Sequence, residues 1–301
     1  MKAQLPRRSF LLNSAALAAG VAVGPGLVAG SSLAAFAQAA APRPTALPPL
    51  PKSPVKLGLA TYTFRKFDIP HLIDFAHQIR TPYLNIKDMH LPMKPLDKTR
   101  EQADAYRKAG FQLTGAGNVD LKKDNDDDMR AKFEYCKAAG ITTMICIPTH
   151  ASLPRAEKFV KEYNIRMAIH NHGPEEPEFP SPVDVLKAVK SMDPRIGCCV
   201  DVGHTMRAGT DPVEALKLAG PRLFDIHMKD LAKANDKDSQ VAVGEGIIPV
   251  REIFQQLIRM KYAGFVDLEY EINADNPLPG VMESFAYMRG VLRGLGYDTA
   301  E

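Results

Sequence analysis

The sequence predicts an α/β protein with a single (β/α)8 TIM barrel over residues 55–301, preceded by a signal peptide at 1–40 and a Pro-rich linker at 41–54. Three observations predict it. Eight short apolar runs recur along the chain, most beginning roughly 25–30 residues after the one before. Helix-compatible segments lie between them, which makes the strands parallel, because parallel neighbours need a crossover connection. Polar residues gather at the carboxyl ends of the later runs, the end at which such barrels carry their sites.

The first element is set aside before the fold is considered. "PRRSFLLNSAALAAGVAVGPGLVAGSSLAAFAQAA" begins with Arg7 and Arg8, continues in a Gly/Ala-rich apolar stretch and ends in small residues. That is the pattern of a twin-arginine export signal. Gly20, Gly24, Pro25 and Gly26 make it a poor membrane helix, and the A-x-A triplets of "AFAQA" suggest cleavage at Ala37 or Ala40. A periplasmic or secreted protein without a membrane anchor after processing is therefore expected. "APRPTALPPLPKSP" (41–54) reads as an extended linker.

The apolar runs come next. They are "VKLGLATYTF" (55–64), "PYLNIKDMH" (82–90), "FQLTGAGNV" (111–119), "ITTMICIPT" (141–149), "RMAIHNH" (166–172), "IGCCVDVGH" (196–204), "LFDIHMKDL" (223–231) and "FVDLEYEI" (265–272). The intervening segments carry helix punctuation. "SPVDVLKAVKSMD" and "DPVEALKLAG" place Pro just after a capping Ser or Asp, and "DKTREQADAYRKAG" closes on the Gly expected past a helix end. A doubly wound sheet competes with the barrel, but no Gly-rich phosphate loop follows the first run, and "GEG" at 244–246 lacks the third glycine of a dinucleotide fingerprint.

Charge and cysteines narrow the function. Removing residues 1–40 removes Lys2, Arg7 and Arg8 and no acid, so the formal charge of +3 falls to zero. No basic face remains to suggest a nucleic-acid partner. Cys136, Cys146, Cys198 and Cys199 do not make a disulfide framework in a chain this long, and free buried thiols are expected.

The run ends hold the chemistry. The fifth gives His170, Asn171 and His172, the sixth Asp201 and then His204, the seventh His227 and then Lys229, and the eighth Glu269 and Glu271. A single strand-end histidine is ordinarily scaffolding, Asp201 alone could cap a turn, and Glu269 alone could pair with a lysine. Their coincidence at one end of four consecutive strands favours a divalent metal site with open positions for substrate. Lys87 and His90 at the end of the second run, His150 after the fourth and Arg207 beyond His204 are further candidates for substrate contact, against plain surface roles. "KKDNDDD" (122–128) reads as a solvated loop and helix start. The long polar loop 231–248 suggests a lid, and His71 and His77 fall on an outer helix.

"RIGCCVDVGHTMRAGTDPVEAL", "RLFDIHMKDL", "VGEGIIPV" and "FVDLEYEI" resemble the later-strand signatures of the xylose isomerase-like barrels, the sugar phosphate isomerase/epimerase family that also includes endonuclease IV. The resemblance covers nearly all of residues 55–301. It implies Asp201, His227 and Glu269 as metal ligands, His204 as a substrate contact and Lys229 as a basic substrate-binding residue. The fifth run departs from the family's sugar epimerases, which place there a Glu that serves as ligand and base. His170 stands at that position, which makes it the fourth ligand with His172 beside it or facing substrate; the reverse assignment stays open. Along the same loop Glu176 aligns near a substrate-contacting Glu, with Glu175 one step away.

The resemblance thus implies a metal-dependent isomerase or epimerase acting on a free or keto-sugar through an enediolate-type intermediate, with Glu269, Glu176 and His204 as catalytic candidates. Lys229, His172, Lys87 and Arg207 are the substrate-binding candidates. Loss of the strand-five Glu breaks the symmetry of two opposed bases, so a keto-sugar lyase or dehydratase using the same metal is the alternative. A non-catalytic sugar-binding barrel is a third class, and an endonuclease IV-like enzyme is disfavoured by the neutral charge. Mn2+ is the expected cofactor, with Zn2+, Fe2+ or Co2+ also compatible with a His/carboxylate set. A homo-oligomer stays open.

Overall fold

The computed structural model describes residues 48–299. The export signal read over residues 1–40 and the start of the linker lie outside the described residues. Strands β1 (Lys56–Ala60), β2 (Tyr83–Ile86), β3 (Gln112–Leu121), β4 (Thr143–Pro148), β5 (Arg166–His170), β6 (Ile196–Asp201) and β7 (Leu223–Met228) follow in order. After them β8 (Asp230–Leu231) and β9 (Gln240–Val241) form a small antiparallel pair, and β10 (Phe265–Leu268) completes the set. β1–β7 and β10 close into one parallel barrel, with β10 bonded to both β7 and β1.

The helices are α1 (Ile69–Ile79), α2 (Leu96–Lys108), α3 (Asp126–Ala138), α4 (Leu153–Tyr163), α5 (Pro182–Ala188), α6 (Val202–Arg207), α7 (Pro212–Ala219), α8 (Val250–Arg259) and α9 (Leu278–Gly294). Their starts follow from local chemistry. Asp68, Asn125 and Asp211 accept backbone N–H groups of the first turns of α1, α3 and α7. The Asp184 carboxylate in α5 reaches back to the Ser181 N–H at 3.1 Å. Asp126, Asp127 and Asp128 of "KKDNDDD" occupy the first turn of α3, where the helix dipole favours them.

Several strands end earlier than their apolar runs. The first run leaves the sheet at Ala60 and makes a 3-10 turn over Thr61–Phe64; the sixth ends at Asp201, where α6 starts. The seventh ends at Met228 and the eighth at Leu268. Past these strand ends His172, His204, Glu269 and Glu271 line a cleft at the mouth, whereas Lys229 is buried.

The main apolar core lies between the sheet and the helices, around Leu59, Phe133, Phe159, Ile226, Phe254 and Phe285. A smaller cluster of Ile145, Ala168 and Cys199 plugs the barrel interior. Beside it sit the buried polar side chains of Asn85, Asp225 and Asp267. This interior is tight: a Cβ on Gly58 would stand 1.8 Å from Asp267 Oδ1. All four cysteines are free and buried, and burial pushes their thiols up out of reach of ionisation.

The loop read as a lid is instead anchored at its base. Asp230 Oδ1 accepts the N–H groups of Leu231 and Ile248 at 2.9 Å, and Oδ2 those of Gly244 at 2.9 Å and Gly246 at 3.1 Å. Gly246 has to be glycine for this, since a Cβ there would approach Asp230 Oδ1 to 2.2 Å. Asp230→Ala leaves these N–H groups without their acceptor, and we expect a loss of about 3 kcal/mol or more in urea unfolding, with faster hydrogen exchange at Gly244 and Gly246. Wild-type protection at both amides would refute the anchor.

Candidate metal centre and cleft

Alternation along parallel strands brings the run ends together. Asp201 on β6 pairs in register with His227 on β7, and His227 with Asp267 on β10. Two residues past Asp267, on the same face, Glu269 continues the ladder through its N–H to Met228 O at 2.9 Å. His170 ends β5 opposite Cys199. His170, Asp201, His227 and Glu269 consequently converge, all buried, with one donor atom from each within 4.8 Å of the others.

The spacing suits one cation. His170 Nε2 lies 3.0 Å from His227 Nδ1, 3.6 Å from Asp201 Oδ2 and 3.9 Å from Glu269 Oε2, and His227 Nδ1 lies 3.1 Å from Glu269 Oε2. Ligands at about 2.0–2.2 Å from a common ion stand about 3–3.5 Å apart, close to these values. Asp201 uses its two oxygens differently: Oδ1 accepts the His204 N–H at 2.8 Å and caps α6, whereas buried Oδ2 faces the His170 imidazole at 3.6 Å and the Lys229 ammonium at 3.0 Å. The capping and ligand readings of Asp201 are therefore both satisfied.

Protonation distinguishes the two imidazoles of the quartet. Burial holds the His170 imidazole well below its ordinary value, so it is neutral, the state a ligand requires. Burial would raise the carboxyls of Asp201 and Glu269, but His204 and Lys229 around the first, and His227 and Lys229 around the second, hold both well below the carboxylate range. Burial would lower His227, yet Glu269, Asp225 and Asp201 outweigh it and push it up to about 9. In the barrel interior burial pushes Asp225 up to about 6, and burial with the Asp225 charge raises Asp267 well above the ordinary carboxyl value.

A cleft of about 400 Å³ opens over the quartet, lined by Tyr62, Lys87, Asn118, Asp120, Ile147, His170, His172, His204, Glu269 and Glu271. His172 packs on His170 at 4.3 Å between ring centroids, and its Nε2 reaches the Asn118 amide at 3.4 Å. His170 belongs to the quartet and His172 flanks it. His204 Nδ1 lies 3.0 Å from Arg207 Nη1. A guanidinium can only donate, so Nδ1 accepts and the ring proton of neutral His204 sits on Nε2. Burial, which pushes His204 down to about 4, keeps the ring neutral.

Several expected contacts are not brought to the cleft. Glu176 is turned away, 3.5 Å from Lys122. Arg207 spends its guanidinium on His204 and Glu175. Lys229 is 3 % exposed and lies behind the cleft wall, its ammonium among Asp201, Glu269 and Glu271. His90 is buried against Phe67 O at 3.0 Å, and exposed His150 lies 4.0 Å from Glu178. Lys87 does line the cleft, donating to Asn118 O at 2.7 Å. Tyr62, Asn118 and Asp120 were missed. The rule that picked out the later run ends also selects Asn118 and Asp120, two residues apart at the end of β3.

The closed parallel barrel with a His/carboxylate quartet at its carboxyl-end mouth defines a TIM barrel with a candidate divalent-metal site. Residues 68–291 match the family described as xylose isomerase-like TIM barrel, and the chain belongs to it. An inosose dehydratase of Geobacillus kaustophilus is 28% identical over 153 residues, 46% of this chain and 47% of the relative, so the chain spans about half the length of the curated relative it matches. Among solved structures, the 3-keto-D-glucoside 4-epimerase YcjR of E. coli shares the fold at TM-score 0.65 and 16% identity, covering 78% of this chain and 99% of that one. The IolI protein, solved with a bound zinc atom, does so at TM-score 0.64 and 15% identity, covering 81% and 99%.

Asp201→Asn keeps an oxygen to cap α6 but removes the ligand charge. We expect Mn2+ affinity, read by competition with a chromophoric chelator, to fall at least about tenfold while far-UV circular dichroism is unchanged. Wild-type affinity in this variant would remove Asp201 from the site.

Proposed function

We propose that this chain is a metal-dependent lyase that acts on an uncharged keto-sugar, removing a proton beside the ketone and expelling an oxygen substituent from the next carbon. One observation carries the reading: the cleft pairs a carboxylate that accepts a proton, Glu269, with an imidazole fixed as a donor, His204, whose Nδ1 is taken by Arg207. Epimerisation through opposed carboxylates needs a base from each side, and neither His170 nor Glu176 supplies the second one.

His170, Asp201, His227 and Glu269 would hold a divalent ion, manganese first with zinc, iron or cobalt as alternatives, which when bound would supply Lewis acidity for the ketone oxygen. Glu269 takes the proton from the adjacent carbon, and the C–H electron pair becomes a carbon–carbon double bond. The bond from the next carbon to its oxygen breaks as His204 Nε2–H donates a hydrogen bond to that oxygen, and the Glu269 carboxyl passes on to it the proton it has just taken, so the imidazole stays neutral. The products are an unsaturated ketone and an alcohol, or water where the substituent is a hydroxyl. Lys87 and Asn118 orient ring hydroxyls on the other side of the cleft.

The substrate class follows from charge. Lys87 lies 3.5 Å from Asp88, Arg207 is paired with Glu175 and Lys229 faces three carboxylates, while Asp120 and Glu271 add negative charge to the lining. This setting suits a neutral sugar and disfavours a phosphorylated one. The inosose dehydratase and 3-keto-D-glucoside epimerase among the similar proteins support a keto-polyol substrate. Export of the folded protein by the signal read at 1–40 would place the reaction in the periplasm. Epimerisation is the second reading, favoured by Asp120, a carboxylate that enters the cleft from β3, well apart from β10.

The test is the Mn2+-loaded protein with a 3-keto-glucoside in D2O. We expect release of the aglycone with an unsaturated keto-sugar; His204→Gln should keep deuterium exchange beside the ketone and slow release about 100-fold. An inverted, intact glycoside as sole product would replace the lyase by the epimerase, and absence of any exchange would remove the enzyme reading.

A further inference from the structure

Resting on the reading of the quartet as a metal site, we infer that Lys229 and Glu271 form a charge regulator that sets how tightly the quartet holds a divalent ion, without either being a ligand. The Lys229 ammonium lies 3.0 Å from Asp201 Oδ2 and 3.2 Å from Glu269 Oε2. These are the same two oxygens that face the imidazole nitrogens of His170 and His227. Its third contact is Glu271 Oε2 at 2.5 Å, on the cleft side. An ammonium sharing two ligand oxygens with the ion repels it and competes for the same electron pairs. A carboxylate on the far side of the ammonium offsets that repulsion.

The placement is built into the fold. Lys229 follows β7 directly and its stem crosses α6 at Gly203, where a Cβ would stand 2.7 Å from Lys229 Cγ and 2.8 Å from Cδ. Any side chain at 203 would push the ammonium off Asp201. The stem is buried and the residue is absent from the cleft lining, so Lys229 meets ligand carboxylates and not substrate. With both imidazoles neutral, as ligands to a cation have to be, Asp201, Glu269, Glu271 and Lys229 carry a net charge of −2. A divalent cation brings that to zero. Loss of the ammonium leaves −3, and loss of the Glu271 charge leaves −1, so the two changes should move affinity in opposite directions.

The experiment measures Mn2+ and Zn2+ affinity by competition with a chromophoric chelator at one ionic strength, on the full chain and on Lys229→Met, Glu271→Gln and the double variant. Lys229→Met should tighten both ions at least about tenfold, Glu271→Gln should weaken both at least about tenfold, and the double variant should return toward wild type. Unchanged or weaker binding in Lys229→Met overturns the inference, as does unchanged binding in Glu271→Gln. The Glu271 side chain is 37% exposed, so its variant reports even if Lys229→Met does not fold. A wild-type chain that binds neither ion removes the metal reading itself, an outcome distinct from a wild type that binds and variants that do not respond.

Discussion

The carboxylates of Asp201 and Glu269 are buried together at the mouth of the barrel, and ions withdrawn from water must be compensated where they stand. Much of the surrounding structure is that compensation. Lys229 brings a full charge to both, His227 brings a proton or a lone pair, and the α6 amide of His204 satisfies the other oxygen of Asp201. Gly203 is small so that the lysine can arrive, and α6 starts at Asp201 so that its first amides point inward. A hydrocarbon core could have filled the same space with less risk. Convergent donor atoms with incomplete hydrogen bonding are what a barrel retains for chemistry.

Much of this was legible in the chain. Period-two alternation and a carboxyl-end rule were enough to send His170, Asp201, His227 and Glu269 to one place, because parallel strands in register leave little freedom in where a strand's last residues go. Capping residues located the helix starts for a similar reason: the interaction is local. What was not legible depended on contacts between distant segments. Glu176 is drawn away by Lys122, Arg207 is held by Glu175, and Lys229 is steered by a glycine in another element. No spacing along the sequence encodes those pairings. His90 shows the same limit, since a polar residue after a strand can also turn under the chain and bond a carbonyl.

Below the quartet the barrel interior is unusual in being partly polar. Asn85 donates to Asp225 Oδ2 at 2.7 Å and lies 3.3 Å from His227 Nε2, with Asp225 itself 3.9 Å from that nitrogen. The far side of the His227 ring thus meets an amide and a carboxyl, while its Nδ1 faces Glu269. Groups behind a ligand histidine fix its orientation and tautomer. The small residues Gly58, Ala168 and Cys199 leave the room these polar groups occupy.

The loop after β7 joins this centre at two neighbouring positions. Asp230 ties down the returning backbone next to Lys229, and the Gln240 amide clamps the Glu269 carbonyl and the Glu271 N–H from β9. Between these fastenings the segment from Ala232 to Ser239 is held by its own turn contacts. It behaves as an exchangeable cassette on a fixed mount. A change of length or composition there would leave Asp230, Gln240 and the groups they fasten in their places.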